Sequence, residues 1–306
     1  MALSSNLRGA LLMSIAMAAF TLNDTLIKVA AQHMNMGQAM FIRGLFATTL
    51  IAVLARHRGA LKDPRAILHP LVAMRAIGEL GGTLCYLVAL AQLPLGNVQA
   101  IFQALPLAVT MGAALVLGEY VGWRRWLAIA IGFVGILIIV RPGFEGFSRY
   151  SLYTLGCVGF CTLRDLATYR LPDSVPTFYL STVMSASVTL FGAALIAPMG
   201  GWSPLQAGPV LHLVGAGVLL LVGYQTIIGA TRAGEISAVA PFRYTALLWA
   251  LVLGFLVFGD RPDTAILAGS ALVVGSGIYM VYRERVAGRT RIVAETTNAD
   301  MIPDGM

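Results

Sequence analysis

Residues 21–24 read TLND, and residues 162–165 read TLRD, 141 positions later. Residues 118–119 read GE and residues 259–260 read GD, at the same offset. Gly135-Ile136 followed by Arg141 is answered by Gly277-Ile278 followed by Arg283, one residue further apart. Each word is short enough to recur by chance. Three in the same order at nearly one offset mark an internal repeat, and what repeats is a set of apolar runs.

Those runs dominate the chain. Of 306 residues, 58% are apolar and 11% charged, against about 45–50% and 25% in a soluble domain. Mean hydropathy is +0.80. So few charges cannot cover a water-exposed surface, which excludes a water-soluble globular enzyme, a nucleic-acid binder and a disordered chain. Lipid is the solvent, and the net charge of +7 reports membrane orientation. A membrane helix takes about 20 apolar residues. Ten runs of that length are expected at 9–31, 36–55, 71–93, 95–118, 124–141, 151–171, 175–198, 208–231, 236–258 and 263–282. The first carries Asp24 and Lys28 and is too long for a cleaved signal segment.

The expected fold is an all-α membrane protein of ten transmembrane helices arranged as two inverted five-helix repeats. Residues 1–8 form a cytoplasmic N-terminus, 9–141 the first repeat, 142–150 an outer linker, 151–283 the second repeat and 284–306 a disordered cytoplasmic tail. Five is odd, so the second copy enters the membrane from the other side. An inverted pair of bundles lets two halves exchange shapes and open a central site to alternate faces.

Orientation follows from Lys and Arg. With the N-terminus in the cytoplasm, Arg8, Arg56, Arg58, Lys62, Arg65, Arg124, Arg125, Arg170, Arg232, Arg283, Arg285, Arg289 and Arg291 lie inside, and only Arg141, Arg149 and Arg261 outside. Both termini are therefore expected in the cytoplasm.

The chain resembles the EamA-type transporters of the drug/metabolite transporter superfamily over residues 8–283. The resemblance is carried by Arg43 in the second span, Gly118-Glu119 ending the fourth, and Gly132, Gly135-Ile136 and Arg141 in the fifth. The ninth, AVAPFRYTALLWALVLGFLVFGD, adds to it, with Asp260 where the family commonly has Glu. It implies ten helices, a small-molecule substrate, and fifth and tenth helices set away from the substrate path. The opening GALLMSIAMAAFTLNDTLIK (9–28) resembles bacterial vitamin carriers, riboflavin carriers included. This implies a multi-pass protein of the bacterial inner membrane.

Ionisable groups inside a span cost about 2.5–3.5 kcal/mol each at mid-bilayer, so they face a cavity or a partner. Asp24 and Lys28 are one turn apart in the favourable order, Arg75 and Glu79 in the less favourable one. Arg164 and Asp165 are adjacent and project about 100° apart. Asp24 and Asp165 sit symmetrically about the midplane. Asp24, Lys28, Arg75, Glu79, Arg164 and Asp165 are thus candidates for coupling or gating, or for structural ion pairs that fix helix register. If protons drive transport, Asp24, Glu79 and Asp165 are the available carboxylates.

Arg43 and Arg243 have no acid one turn away and need acceptors, either a substrate or helix carbonyls. Gln99 and Gln103 share a face. With Tyr86, Tyr244 and Trp249 they complete the expected substrate-binding set: Arg43, Tyr86, Gln99, Gln103, Arg243, Tyr244 and Trp249. That set suits a planar, polar, uncharged or weakly anionic solute. Riboflavin uptake is the first reading, and export of amino acids, other metabolites or drugs the alternative.

Cys85, Cys157 and Cys161 read as apolar packing residues. Gly78 with Gly82, Ala128 with Gly132 and Ala271 with Gly275 read as close helix contacts. The sequence has no HExxH, GxSxG or Walker motif, and its histidines do not cluster. No cofactor, metal or nucleic-acid partner is expected, and an intramembrane enzyme is a distant alternative.

Overall fold

A computed structural model describes residues 5–57, 69–144, 146–171, 177–233 and 236–286. Most of the 56–70 loop and all but three residues of the expected 284–306 tail lie outside the described residues. The described residues form helices without strands: α1 (Ser5–Ala30), α2 (Met36–His57), α3 (Pro70–Gln92), α4 (Leu95–Phe102), α5 (Leu105–Val116), α6 (Trp123–Val140), α7 (Arg149–Tyr169), α8 (Thr177–Ile196), α9 (Ala207–Ala233), α10 (Ile236–Val239), α11 (Thr245–Leu253) and α12 (Thr264–Val286). Among the described residues, eight segments are long and apolar enough to cross a membrane, α4 and α5 together making one of them. The sixth and seventh expected spans fall short of that measure. α7 carries Arg149, Arg164 and Asp165 among several hydroxyl side chains, and the apolar stretch of α8 is Leu180–Ile196.

Local chemistry sets the ends. The His69 ring accepts from the Leu71 N–H at 3.2 Å and Pro70 opens α3. Ser148 Oγ caps α7 through the Tyr150 N–H at 3.3 Å. The fourth expected span is broken at 103–104, because Pro106 has no N–H to give the Phe102 carbonyl. The ninth is broken too: a 3₁₀ turn, Ala240–Tyr244, holds Pro241, and a π turn, Gly254–Phe258, ends the span. Gly118 and Gly259 both have φ +71°. After each the chain turns back, with Glu119 N–H on the Ala113 carbonyl (3.2 Å) and Asp260 N–H on the Gly254 carbonyl (3.0 Å). This six-residue return closes a left-handed helix cap, which glycine adopts without strain.

The principal helix pairs are α1 with α9, α3 with α7, α2 with α8 and α6 with α12. In span numbers these are 1–8, 3–6, 2–7 and 5–10. Moving every span on by five exchanges the first two pairs and returns the last two to themselves. Contacts repeat at the 141-residue offset. A Cβ on Gly82 would lie 3.1 Å from Cys161 Sγ, and one on Gly223 would lie 2.5 Å from the Phe20 ring; both members of the second pair sit 141 positions from members of the first. Thr48 and Thr189, themselves 141 apart, share a 2.9 Å hydroxyl hydrogen bond.

Glycines let the backbones meet. A Cβ on Gly78 would fall 2.7 Å from the Phe160 carbonyl oxygen. Gly132 faces Leu107 and Ser276. Gly275 is a correction to the small-residue reading: it and Ala271 are exposed, and a Cβ on Gly275 would meet nothing within 4 Å. Gly269, one helical phase away, makes the backbone contact with Gly135 instead.

Candidate functional site

A cavity of about 440 Å³ lies between α1–α5 on one side and α7 and α9–α12 on the other. Its size is within the range of small-molecule sites, roughly 300–1,000 Å³. Arg43, Tyr86, Gln99, Gln103, Arg243 and Tyr244 are on its wall, and so are Asp24, Glu79 and Arg164. Gln103 and Tyr244, 141 residues apart, stand at the two helix breaks.

Asp24 is the most heavily coordinated group there. Its carboxylate accepts from the Tyr86 hydroxyl at 2.5 Å, Gln99 Nε2 at 3.1 Å and Asn23 Nδ2 at 3.0 Å. All three donors are neutral. Gln99 Nε2 also reaches the Tyr86 oxygen at 2.8 Å, which ties α1, α3 and α4 into one cluster. Arg43 lies within electrostatic reach of Asp24. Asp165, the counterpart of Asp24, has a different setting. It is 1% exposed, sits off the wall, and is paired to Arg164 at 2.8 Å. Arg164 in turn faces Glu79 at 3.6 Å.

Neither one-turn ion pair is what organises its helix. Lys28 lies off the wall: its ammonium donates to the Leu93 carbonyl and stands 5.2 Å from the centre of the Phe258 ring. The turn at Leu93-Pro94 leaves that carbonyl outside a continuing helix, so the long lysine reaches it. Arg75 also lies off the wall and donates to Thr168 Oγ1 on α7. Trp249 is absent from the cavity and 39% exposed. Five residues beyond Tyr244, it points about 140° away around the helix.

Two edge-to-face aromatic pairs flank the cavity, Tyr86 with Phe102 and Phe20 with Tyr224, each with centroids 5.4 Å apart. Phe20, Asn23, Thr83 and Tyr224 join the wall without having been in the expected set. Asn23 was legible as a polar residue beside Asp24, whereas Phe20 gave no signal distinct from packing. Cys157 and Cys161, expected as packing, are buried and also contribute to the wall.

Buried Asn23 Oδ1 and Gln103 Nε2, both on wall residues, have no hydrogen-bond partner, and such atoms are what a polar ligand satisfies. The Tyr244 hydroxyl is also unpartnered, but it is packed against Gly277 of α12, where a Cβ would overlap it. Gly277→Ala is therefore expected to cost about 1–3 kcal/mol of stability through overpacking. Tyr244→Phe in the same chain should return only part of it, because the ring Cζ would still stand 2.5 Å from the new Cβ. Thermal unfolding of the detergent-solubilised protein measures both.

The model of the EamA-like transporter family matches residues 7–141. The first half of the chain is thus similar to the EamA-like transporters. A riboflavin transporter of Vibrio cholerae is 27% identical over 92% of this chain and 96% of its own. An S-adenosylmethionine uptake transporter of Rickettsia prowazekii is 22% identical over 93% and 96%. A pseudopaline exporter of Pseudomonas aeruginosa is 25% identical over 87% and 93%. A solved crystal structure, 19% identical, superposes with a TM-score of 0.61 over 91% of this chain and 98% of its own, which shows a shared fold.

Proposed function

We propose that this protein is an EamA-type secondary transporter that moves one small, planar, polar metabolite across the bacterial inner membrane by alternating access, with riboflavin as its substrate. The observation that carries the reading is the cavity itself. It lies between the two halves of the chain at the two broken spans, and interrupted helices at matching positions in two halves are where carriers place their sites.

The halves, 9–141 and 151–283, act as inverted repeats with both termini cytoplasmic. The aromatic pairs at Tyr86–Phe102 and Phe20–Tyr224 offer surfaces for a planar ring. The Gln99 and Gln103 amides and the Arg43 guanidinium bind ring carbonyls and hydroxyls. The Asp24 cluster sits where a coupling proton or a cationic substrate group would bind, and Glu79 with Arg164 lines the path beside it. The Vibrio cholerae relative supports a flavin.

A second reading, export of an amino acid or related metabolite, is favoured by Asp24 and Arg43 on one wall, which match an ammonium and a carboxylate. Growth separates the two. A bacterium that cannot make riboflavin is expected to grow on micromolar external riboflavin only when it expresses this chain. No rescue, with the protein shown to be in the membrane, would overturn the flavin reading and favour export.

A further inference from the structure

The two Gly-acid motifs lie outside the cavity. Their backbones are equivalent, with matching φ at Gly118 and Gly259 and matching six-residue returns. Their carboxylates are not. Asp260 Oδ2 accepts the Leu95 N–H at 3.4 Å, at the first residue of α4. It is also within electrostatic reach of Lys28, whose ammonium holds the Leu93 carbonyl and covers the Phe258 ring. Lys28 and Asp260 thereby join three chain segments at one end of the bundle: the end of α1, the α3–α4 turn and the end of the ninth span. Glu119, at the opposite end, makes no side-chain hydrogen bond or ion pair with a described residue.

The cavity has the same asymmetry. Beyond Asp24 and Gln99, toward Lys28, the buried side chains of Ile27, Leu95 and Ala250 pack into one cluster. In the other direction the wall runs on to Met13, Thr231 and Val281, toward the end that carries the N-terminus.

We propose that Asp260 and Glu119 are alternate latches. Asp260, with Lys28, holds shut the end opposite the N-terminus in the state described here. Glu119 closes the N-terminal end when the cavity faces the other way. This inference rests on the alternating-access reading. At the repeat offset the counterpart of Lys28 is Tyr169, a neutral donor. The Glu119 latch is therefore the weaker one, in keeping with a resting state closed at the Lys28 end.

The test is a pair of spin-label distances in the full chain, reconstituted in nanodiscs with Cys85, Cys157 and Cys161 replaced by alanine. Labels at Gln32 and Thr264 report the Lys28 end; labels at Leu115 and Arg232 report the other. Asp260→Asn and Lys28→Met are each expected to widen the first distance and narrow the second, moving the open-to-closed ratio at the Lys28 end by about fivefold or more. Glu119→Gln is expected to leave the Lys28 end closed. Parental distances in either folded Asp260 or Lys28 variant, or the same widening in Glu119→Gln, would overturn the proposal. The readout needs no substrate. Failure of the transport reading would appear separately, as absence of flux in the parent chain.

Discussion

With Asp24→Asn, transport per molecule is expected to fall roughly 100-fold while the protein remains in the membrane. The aspartate accepts three hydrogen bonds from neutral donors on α1, α3 and α4, and bonds to a charged group are worth about 1.5–3 kcal/mol each. An amide keeps one oxygen and turns an N–H₂ toward the rest of the donor cluster. Losing the better part of two such bonds is about 2.7 kcal/mol, which converts to the stated factor. The loss falls on transport because Tyr86 and Gln99, which Asp24 orients, are themselves the cavity wall. Asp165→Asn is the informative contrast. Its partner is Arg164 at 2.8 Å, and breaking a buried pair costs about 3–5 kcal/mol through the charge left behind. That variant should lower the amount of folded protein instead. Initial uptake rates normalised to reconstituted protein, beside yields from the membrane, distinguish the two. Equal rates for Asp24→Asn and parent would remove Asp24 from the transport path.

The second large effect is expected from Gly78→Leu, which should abolish recovery of folded protein. A Cβ at this position would stand 2.7 Å from the Phe160 carbonyl oxygen and 2.8 Å from the Arg164 nitrogen. Both are backbone atoms of α7 and cannot swing aside, so α3 and α7 must separate. The Glu79–Arg164 and Arg75–Thr168 contacts across that interface would go with them. Gly159→Ala on the same α7 is the control: a Cβ there meets nothing within 4 Å, and it should be recovered like the parent. The measurement is the fraction extracted in mild detergent that elutes as one monodisperse species.

Much of this was legible because lipid penalises misplaced polarity. Arg43, Gln99 and Gln103 sit in apolar runs, and a charged or amide side chain there must turn inward; all three reach the cavity wall. The offset of 141 was visible in TLND and TLRD, and it recurs in the Gly82–Cys161 and Gly223–Phe20 contacts. Trp249 was not legible. The helix Thr245–Leu253 is apolar on every side, so the sequence carries no phase by which to tell its inner face from its outer one. The Asp24–Lys28 and Arg75–Glu79 spacings described neighbours correctly but not partners. Contacts across the bundle, from Tyr86, Leu93, Thr168 and Arg164, engage all four side chains, and nothing local encodes them. The breaks at 103–104 and 240–244 depend on Pro106 and Pro241, and the runs are apolar enough on either side to have read as unbroken spans. Phe20 lies in the most apolar part of α1, where an aromatic that lines a cavity looks the same as one that packs a helix.

The most direct test of the account is flux of labelled riboflavin into proteoliposomes that contain this chain as their only protein. Saturable uptake is expected, suppressed by excess unlabelled riboflavin and reduced roughly 100-fold by Asp24→Asn. Uptake by the parent chain no faster than in protein-free vesicles, with the protein shown to be folded and inserted, would contradict it.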